Sequence, residues 1–372
     1  MKLQHKFGLL LSSLSLFSFI SSAEAEPKVV TSIKPIHSLV SYVMDGVGRP
    51  DLLVDGSSSP HTFQLKPSHA TMLQEADIVF WIGEDLESFL ETPLDSIAAS
   101  AKRVTLMDSD QIELLKFREK NVFDDHHDDH DDHDEHEDHA DGHDDHDEHD
   151  EHDEHDEHDE HDEHDEHDEH DEHDENEGHD DHEEHADGHD DHDEHEGHDD
   201  HGHHHGEHDI HFWLDPEIAK TIVSIASEEL SEIDPANKSI YSSNAANAIN
   251  DLDQLIDNTR SKINSDATYI VFHDAYQYFE QRFGIEVIGA LTVNPEVLPG
   301  AKQLAEIREV IEHESVNCLF SEPQFNPSIA ETIASDTGIK SAVLDPLGAE
   351  LEPGKDLYFD LIGDMASSFE NC

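Results

Sequence analysis

The stretch KVVTSIKPIHSLVSYVMDGVGRPDLLV, residues 28–54, changes from a strand pattern to a helix pattern and back to a strand pattern. The β-branched run 28–33 predicts a first strand. Apolar side chains at helical spacing predict a helix over residues 36–47, and a second strand is predicted at 51–54. Strands that alternate with helices are typical of a parallel sheet with helices on both faces.

The same alternation continues along the chain and restarts towards the C-terminus. The further predicted strands are 77–82, 103–106, 269–272, 286–289, 316–320 and 341–344, and the further predicted helices are 67–76, a segment that ends at 90, 216–230, 234–263, 276–283 and 300–313. The helix over 234–263 would be about 40 Å long, which is enough to bridge two lobes. We therefore predict an α/β protein of two lobes with parallel sheets, at 26–232 and 265–372, joined by a long rigid linker helix at 233–264.

Residues 1–25 have the pattern of a cleaved export signal. Lys2 and Lys6 precede an apolar run, Phe7 to Ile20, and small residues follow at Ala23 and Ala25. The apolar run is too short to span a membrane. We expect cleavage before residue 26 and a soluble protein in the periplasm.

An insertion at 124–208 holds 29 histidines and 47 acidic residues, with no Lys or Arg. Because it has no apolar surface to offset the loss of chain entropy, we predict that it is disordered. One interpretation is a solvated spacer. The other is a set of weak zinc sites that collects or buffers zinc, because imidazole and carboxylate groups at high density attract cations.

The formal charge of −72 makes a cation the expected partner of this chain. The composition argues against nucleic acid as a partner, because phosphate binding needs a basic stripe and the sequence has none. The chain has two cysteines, Cys318 in a strand-like run and Cys372 at the last position. In an oxidising compartment they can form a disulfide that fastens the C-terminus to the sheet. A cysteine-based metal site would need more sulfurs or adjacent spacing.

Three histidines lie at loops beside strand-like or apolar segments: His61, His211 and His273. Asp345, directly after the predicted strand at 341–344, has a similar position. Ligands of open α/β sheets bind beyond the carboxyl ends of the strands, so these residues are expected to meet in one cleft between the lobes. Three imidazoles with a carboxylate or a water suit Zn²⁺. Taken singly, each histidine is also typical of a plain loop or capping residue.

Seven short segments add a family resemblance. They are SPH at 59–61, KPS at 66–68, HFWLDP at 211–216, FHDAYQYF at 272–279, TVNPE at 292–296, SEPQF at 321–325 and LDPLG at 344–348. In this order they resemble the metal-specific solute-binding proteins of ABC importers, and most closely the zinc-uptake members. The resemblance covers essentially all of the chain outside the export signal and the insertion.

This resemblance implies zinc ligands at His61, His211 and His273, a rigid linker helix and a Cys318–Cys372 disulfide. It also implies delivery of zinc to a membrane permease that works with a cytoplasmic ATPase. Manganese-selective relatives carry a glutamate where His273 stands. Some zinc members have a glutamate before the first ligand histidine, and this chain has a proline there. The expected fourth ligand is therefore Asp345 or a water.

The leading hypothesis is a monomeric periplasmic protein that captures zinc for an importer and has no catalytic activity. The same fold could instead serve manganese or another divalent metal. A secreted zinc hydrolase would need an open coordination position and a general base, as in a His-Glu-x-x-His helix, which the sequence does not contain. A surface protein for metal storage or adhesion is a further alternative, which a cleaved soluble form disfavours.

Overall fold

The computed structural model describes residues 26–118, 206–263, 267–292, 295 and 297–372. The predicted export signal, and the predicted insertion except for residues 206–208, lie outside the described residues. Within the described residues, no helix combines the length and the apolar character needed to cross a membrane.

The N-terminal lobe is built on a four-stranded parallel sheet in the order β2-β1-β3-β4. Its elements are β1 (Val29–Ile33), α1 (Lys34–Val43), β2 (Asp51–Val54), α2 (Pro67–Glu75), β3 (Ile78–Trp81), α3 (Ser88–Ser96), β4 (Lys102–Thr105) and, after the insertion, α4 (Pro216–Ile233). All five residues of β1 are buried, because a central strand of a parallel sheet is covered on both faces.

The C-terminal lobe repeats this sheet in the order β6-β5-β7-β8, again fully parallel. Its elements are β5 (Thr268–His273), α6 (Gln277–Phe283), β6 (Glu286–Thr292), α7 (Ala301–His313), β7 (Cys318–Ser321), α8 (Ser328–Thr337), β8 (Lys340–Val343) and α9 (Leu357–Asn371). In each lobe the first strand lies between the second and the third. The strand order therefore reverses at the first strand, which is where ligands of such sheets bind.

The linker helix between the lobes is α5 (Lys238–Lys262), with 25 residues and a length of about 37 Å. It begins later than predicted, because a 3₁₀ turn at Pro235–Asn237 precedes it. Asp234 stabilises this turn by accepting hydrogen bonds from the Tyr241 hydroxyl and the Asn237 amide, both at 2.7 Å. Helix α5 packs against α1, α4 and α9, so the two predicted parallel-sheet lobes and their long helix are confirmed.

All eight predicted strands are present, with ends shifted by at most three residues. Helices α8 and α9 were not predicted. Helix α9 follows β8 and then packs on α1 of the N-terminal lobe and on α5. The backbone N–H of Tyr358 in α9 donates a hydrogen bond to the Ser38 hydroxyl of α1 at 2.9 Å. The proposed lobe boundaries remain predictions.

The Cys318–Cys372 disulfide is present, with the two Cα atoms 5.8 Å apart. Cys318 begins the buried strand β7, and Cys372 directly follows α9. The bond therefore fastens the last helix to the C-terminal sheet, as predicted from the two cysteines.

A buried carboxyl group in the N-terminal lobe makes folding stability depend on pH. Glu87 is fully buried, and its Oε2 accepts the backbone N–H groups of Ile82 at 2.9 Å and Gly83 at 3.0 Å. Desolvation outweighs these hydrogen bonds and raises its pKa from 4.5 to about 7. Because the folded state holds this proton more tightly than the unfolded state, the stabilisation is complete below pH 4.5 and is lost as the pH rises to about 7.

We expect Glu87→Gln to remove this pH dependence. The free energy of unfolding of the wild type, relative to the variant, should fall by up to about 3 kcal/mol between pH 4.5 and pH 8. Urea unfolding of the metal-free proteins at several pH values measures the difference. A difference that does not change with pH would contradict the assignment.

Candidate metal centre

Three histidines from distant parts of the sequence meet in the cleft between the two sheets. One ring nitrogen from each of His61, His211 and His273 lies within 4.8 Å of the other two. The ring centroids are 5.8 Å apart for His61 and His211, 5.4 Å for His61 and His273, and 4.9 Å for His211 and His273. Among the described residues, no other group of three His, Cys, Asp or Glu side chains has this spacing.

Each histidine is placed by a different structural element. His273 is the last residue of β5, at the point where the strand order of the C-terminal sheet reverses. His61 lies in the loop between β2 and α2, and His211 directly precedes a 3₁₀ turn at Phe212–Leu214. His211 and His273 are buried, and His61 is half-buried. The structure thus brings together the three histidines identified in the sequence.

A buried carboxylate fixes the orientation of His211. Asp209 Oδ1 lies 2.8 Å from His211 Nδ1 and accepts the His211 backbone N–H at 2.9 Å. Burial raises the pKa of Asp209 to about 7, although the hydrogen bond from the His211 backbone opposes this effect. Because Nδ1 is engaged by Asp209, Nε2 is the nitrogen that His211 can offer to a cation.

A second carboxylate stands beside His273. Glu322 follows β7, the neighbour of β5, so both side chains reach the same edge of the sheet. Glu322 Oε1 lies 3.6 Å from His273 Nδ1, which is too long for a hydrogen bond. Both atoms are buried and have no hydrogen-bond partner in the described part of the chain. A small approach of the two groups would satisfy both, and it would leave His273 Nε2 for a cation.

Asp345 does not join this group, in contrast to the first alternative for the fourth ligand. Its Oδ1 accepts hydrogen bonds from Gln324 Nε2 at 2.8 Å and from the N–H groups of Leu347 and Gly348, each at 3.0 Å. Its Oδ2 accepts the N–H of Ala349 at 2.5 Å. These donors occupy the carboxylate, so Asp345 caps the loop that follows it. A strand-end position in the sequence does not distinguish such a cap from a ligand.

The cavity between the three rings is very small. Its volume is about 10 Å³, which is room for about one water or one ion. Trp213, Phe325 and Pro346 form much of its wall, so an organic substrate has no space there.

Two carboxylates beside the histidines were not identified in the sequence, Asp209 and Glu322. Asp209 stands two residues before His211, but it follows 47 other acidic residues that are chemically indistinguishable. Glu322 had a usable signal, because it lies two residues after the predicted strand at 316–320, which in the structure neighbours the strand of His273.

Comparisons with known proteins agree with this architecture. A sequence profile of the family ZnuA, described as zinc-uptake complex component A, periplasmic, matches residues 29–372. The high-affinity zinc uptake system protein ZnuA of Brucella abortus is 42% identical over 369 residues, which cover 98% of each chain. The protein of the same name from Haemophilus influenzae is 39% identical over 370 residues, again 98% of each chain.

A solved crystal structure of ZnuA has the same fold. It superposes with a TM-score of 0.63 at 19% sequence identity and covers 92% of this chain and 97% of its own. The profile match and the full-length relatives show the family directly. This chain belongs to the ZnuA family of periplasmic zinc-uptake components.

Proposed function

We propose that this protein binds one Zn²⁺ through His61, His211 and His273 and passes it to a zinc importer. The observation that carries the proposal is the meeting of three imidazole nitrogens, all within 4.8 Å, around a cavity of about 10 Å³. Zn–N bonds of about 2.0–2.1 Å in a tetrahedral site separate the nitrogens by about 3.4 Å. A modest inward movement of the rings would therefore complete the site.

The chemistry of the ligand set favours zinc over manganese. Three neutral imidazoles suit Zn²⁺, whereas Mn²⁺ prefers carboxylate and other oxygen ligands. Asp209 and Glu322 would bind the outer nitrogens of His211 and His273, raise their basicity and compensate the charge of the ion. A water is the proposed fourth ligand, because Asp345 is occupied by its own loop.

The size of the site favours capture over catalysis. A zinc hydrolase also keeps one coordination position for water, but it needs room beside the metal for the bond that is cleaved. The cavity here has room for about one small species. We therefore propose a binding protein that is not an enzyme.

The relatives named for high-affinity zinc uptake support a role in the same kind of system. We propose that this chain is exported to the periplasm, acts as a monomer and delivers zinc to a permease of the ABC type with its cytoplasmic ATPase. The proposed weak zinc sites of the insertion lie outside the described residues. The structure describes the two chain segments that flank the undescribed part of the insertion, residues 115–117 and 207–209. The N–H of Phe117 donates to the carbonyl of Glu207, and the N–H of Asp209 donates to the carbonyl of Leu115.

These two segments form an antiparallel bridge at Lys116 and His208, so the described residues before and after the insertion are neighbours. A short Gly-Ser linker can therefore replace residues 124–205 without stretching the fold. The insertion also enters the fold directly before Asp209, which orients His211.

Zinc titration of the full chain and of the variant without residues 124–205 tests the proposal. We expect the shortened variant to bind one zinc that survives dialysis, and the full chain to bind the same ion plus several weaker ones. Turnover of ester or peptide substrates is measured on the same samples. A shortened variant that retains no zinc, or either protein with hydrolytic turnover, would contradict the proposed function.

A further inference from the structure

Lys34 is a buried cation that joins the N-terminal lobe to the C-terminal lobe. It begins α1 directly after β1, at the carboxyl edge of the N-terminal sheet. Its side chain is only 4% exposed. The ammonium donates hydrogen bonds to the carbonyls of Gly348 at 3.0 Å, Ala349 at 2.8 Å and Leu351 at 3.0 Å. Three donors of a lysine are thus used by one segment of the other lobe.

The segment that Lys34 binds is the loop 345–351, which forms part of the wall of the metal cavity. Pro346 and Leu347 line the cavity, and Asp345 folds the loop by accepting its N–H groups. The carbonyl groups of Gly348, Ala349 and Leu351 in the same loop point to the Lys34 ammonium of the N-terminal lobe. Trp213, from that lobe, also binds the loop through a hydrogen bond from Nε1 to the Pro346 carbonyl at 2.9 Å.

One ion pair between these parts of the molecule is exposed, in contrast to the Lys34 contact. Lys355 pairs with Asp45 at 2.6 Å, but their side chains are 43% and 54% exposed. Exposed ion pairs contribute little to stability, because water and salt screen them. The Lys34 contact is shielded from water, so its hydrogen bonds are charge-assisted and strong.

We propose that Lys34 holds the loop 345–351 closed over the metal and thereby sets the rate at which zinc leaves the site. The inference rests on the proposed function, since it requires zinc in the three-histidine cavity. The ion would be held by groups from both lobes, and a movement of the loop or of the lobes away from each other would open its way out. Such a movement breaks the hydrogen bonds of Lys34, whereas zinc coordination itself does not involve this residue. Lys34 is therefore a positioning residue.

The test is the rate of zinc release from the full chain into an excess of a strong chelator. The insertion is expected to lose its zinc fast, and the tight site is the slow phase that His211→Ala removes. In Lys34→Met, the slow phase should accelerate roughly 10- to 100-fold, as expected for the loss of a charge-assisted contact. The matched control Lys355→Met should change the rate less than about 2-fold, because it removes an exposed ion pair.

Lys34→Met leaves no buried charge unpaired, because the nearby Asp55 carboxylate, 3.3 Å from the ammonium, is 63% exposed. Should this variant fail to fold, Trp213→Phe removes the other hydrogen bond to the same loop and is expected to accelerate release in the same direction. Urea unfolding separates a contribution of Lys34 to folding stability from its proposed effect on the rate of zinc release. A folded variant that is less stable but has an unchanged slow phase would show a purely structural residue and overturn the proposal.

The outcome also distinguishes this inference from the proposed function. A slow phase that is present in the wild type, and unchanged in Lys34→Met and Trp213→Phe, refutes the role of Lys34 alone. A wild type without any slow phase refutes both proposals. A slow phase that accelerates in both variants and persists in Lys355→Met supports them together.

Discussion

Alanine at any one of His61, His211 or His273 is expected to abolish tight zinc binding. Each substitution removes one of the three imidazole nitrogens that lie within 4.8 Å of one another. The affinity should fall by more than the ~10- to 100-fold that results when only an outer partner of a ligand is lost. Competition titration against a zinc chelator, in the variant without residues 124–205, measures the change.

The matched control for these variants is His313→Ala. His313 lies at the end of α7 with a side chain that is 75% exposed, and it is outside the three-histidine group. Its replacement should leave the affinity unchanged. Tight binding that persists in His211→Ala or His273→Ala would show that the cavity does not hold the zinc.

Removal of the disulfide is expected to produce the largest loss of stability. Cys318 and Cys372 are 54 positions apart, and closing a loop of this size stabilises a protein by about 4 kcal/mol in the chain-entropy account. Cys372→Ser leaves Cys318 as a small buried side chain, which is tolerated in a core. Urea unfolding of this variant and of the wild type measures the difference.

The effect on zinc should be much smaller than the effect on stability. Cys318 begins β7, whereas Glu322 follows the opposite end of the same strand, where the metal cavity lies. We expect the zinc affinity of folded Cys372→Ser to stay close to that of the wild type. A loss of less than about 1 kcal/mol in the free energy of unfolding would contradict the stabilising role of the Cys318–Cys372 disulfide.

The alternation of strands and helices was predictable because each buried strand is a short apolar run bounded by turn residues. Helix α9 also has an apolar pattern, with Leu357, Leu361, Met365 and Phe369 at regular four-residue spacing, and could have been found. Helix α8 has two fully buried side chains, Ala330 and Ile333, which is a weak signal for any sequence method. Which helix packs across both lobes cannot be derived from periodicity.

The site was predictable in part for a similar reason. The positions of His61, His211 and His273 beside strand-like or apolar segments indicate one cleft, and the family resemblance adds that they are zinc ligands. Asp345 has the residue type and strand-end position of a ligand, and its role as a cap depends on backbone N–H groups that the sequence does not display. Lys34 looks like an ordinary helix start, because its partner carbonyls lie more than 300 positions away.

X-ray absorption of the protein without residues 124–205, loaded with one equivalent of zinc, tests the central claim most directly. The account predicts three imidazoles and one oxygen at about 2.0–2.1 Å from the metal, with no sulfur, because both cysteines form the disulfide. It also predicts that His273→Ala removes one imidazole from the spectrum. Fewer than three imidazoles in the wild type, or the same spectrum in His273→Ala, would contradict it.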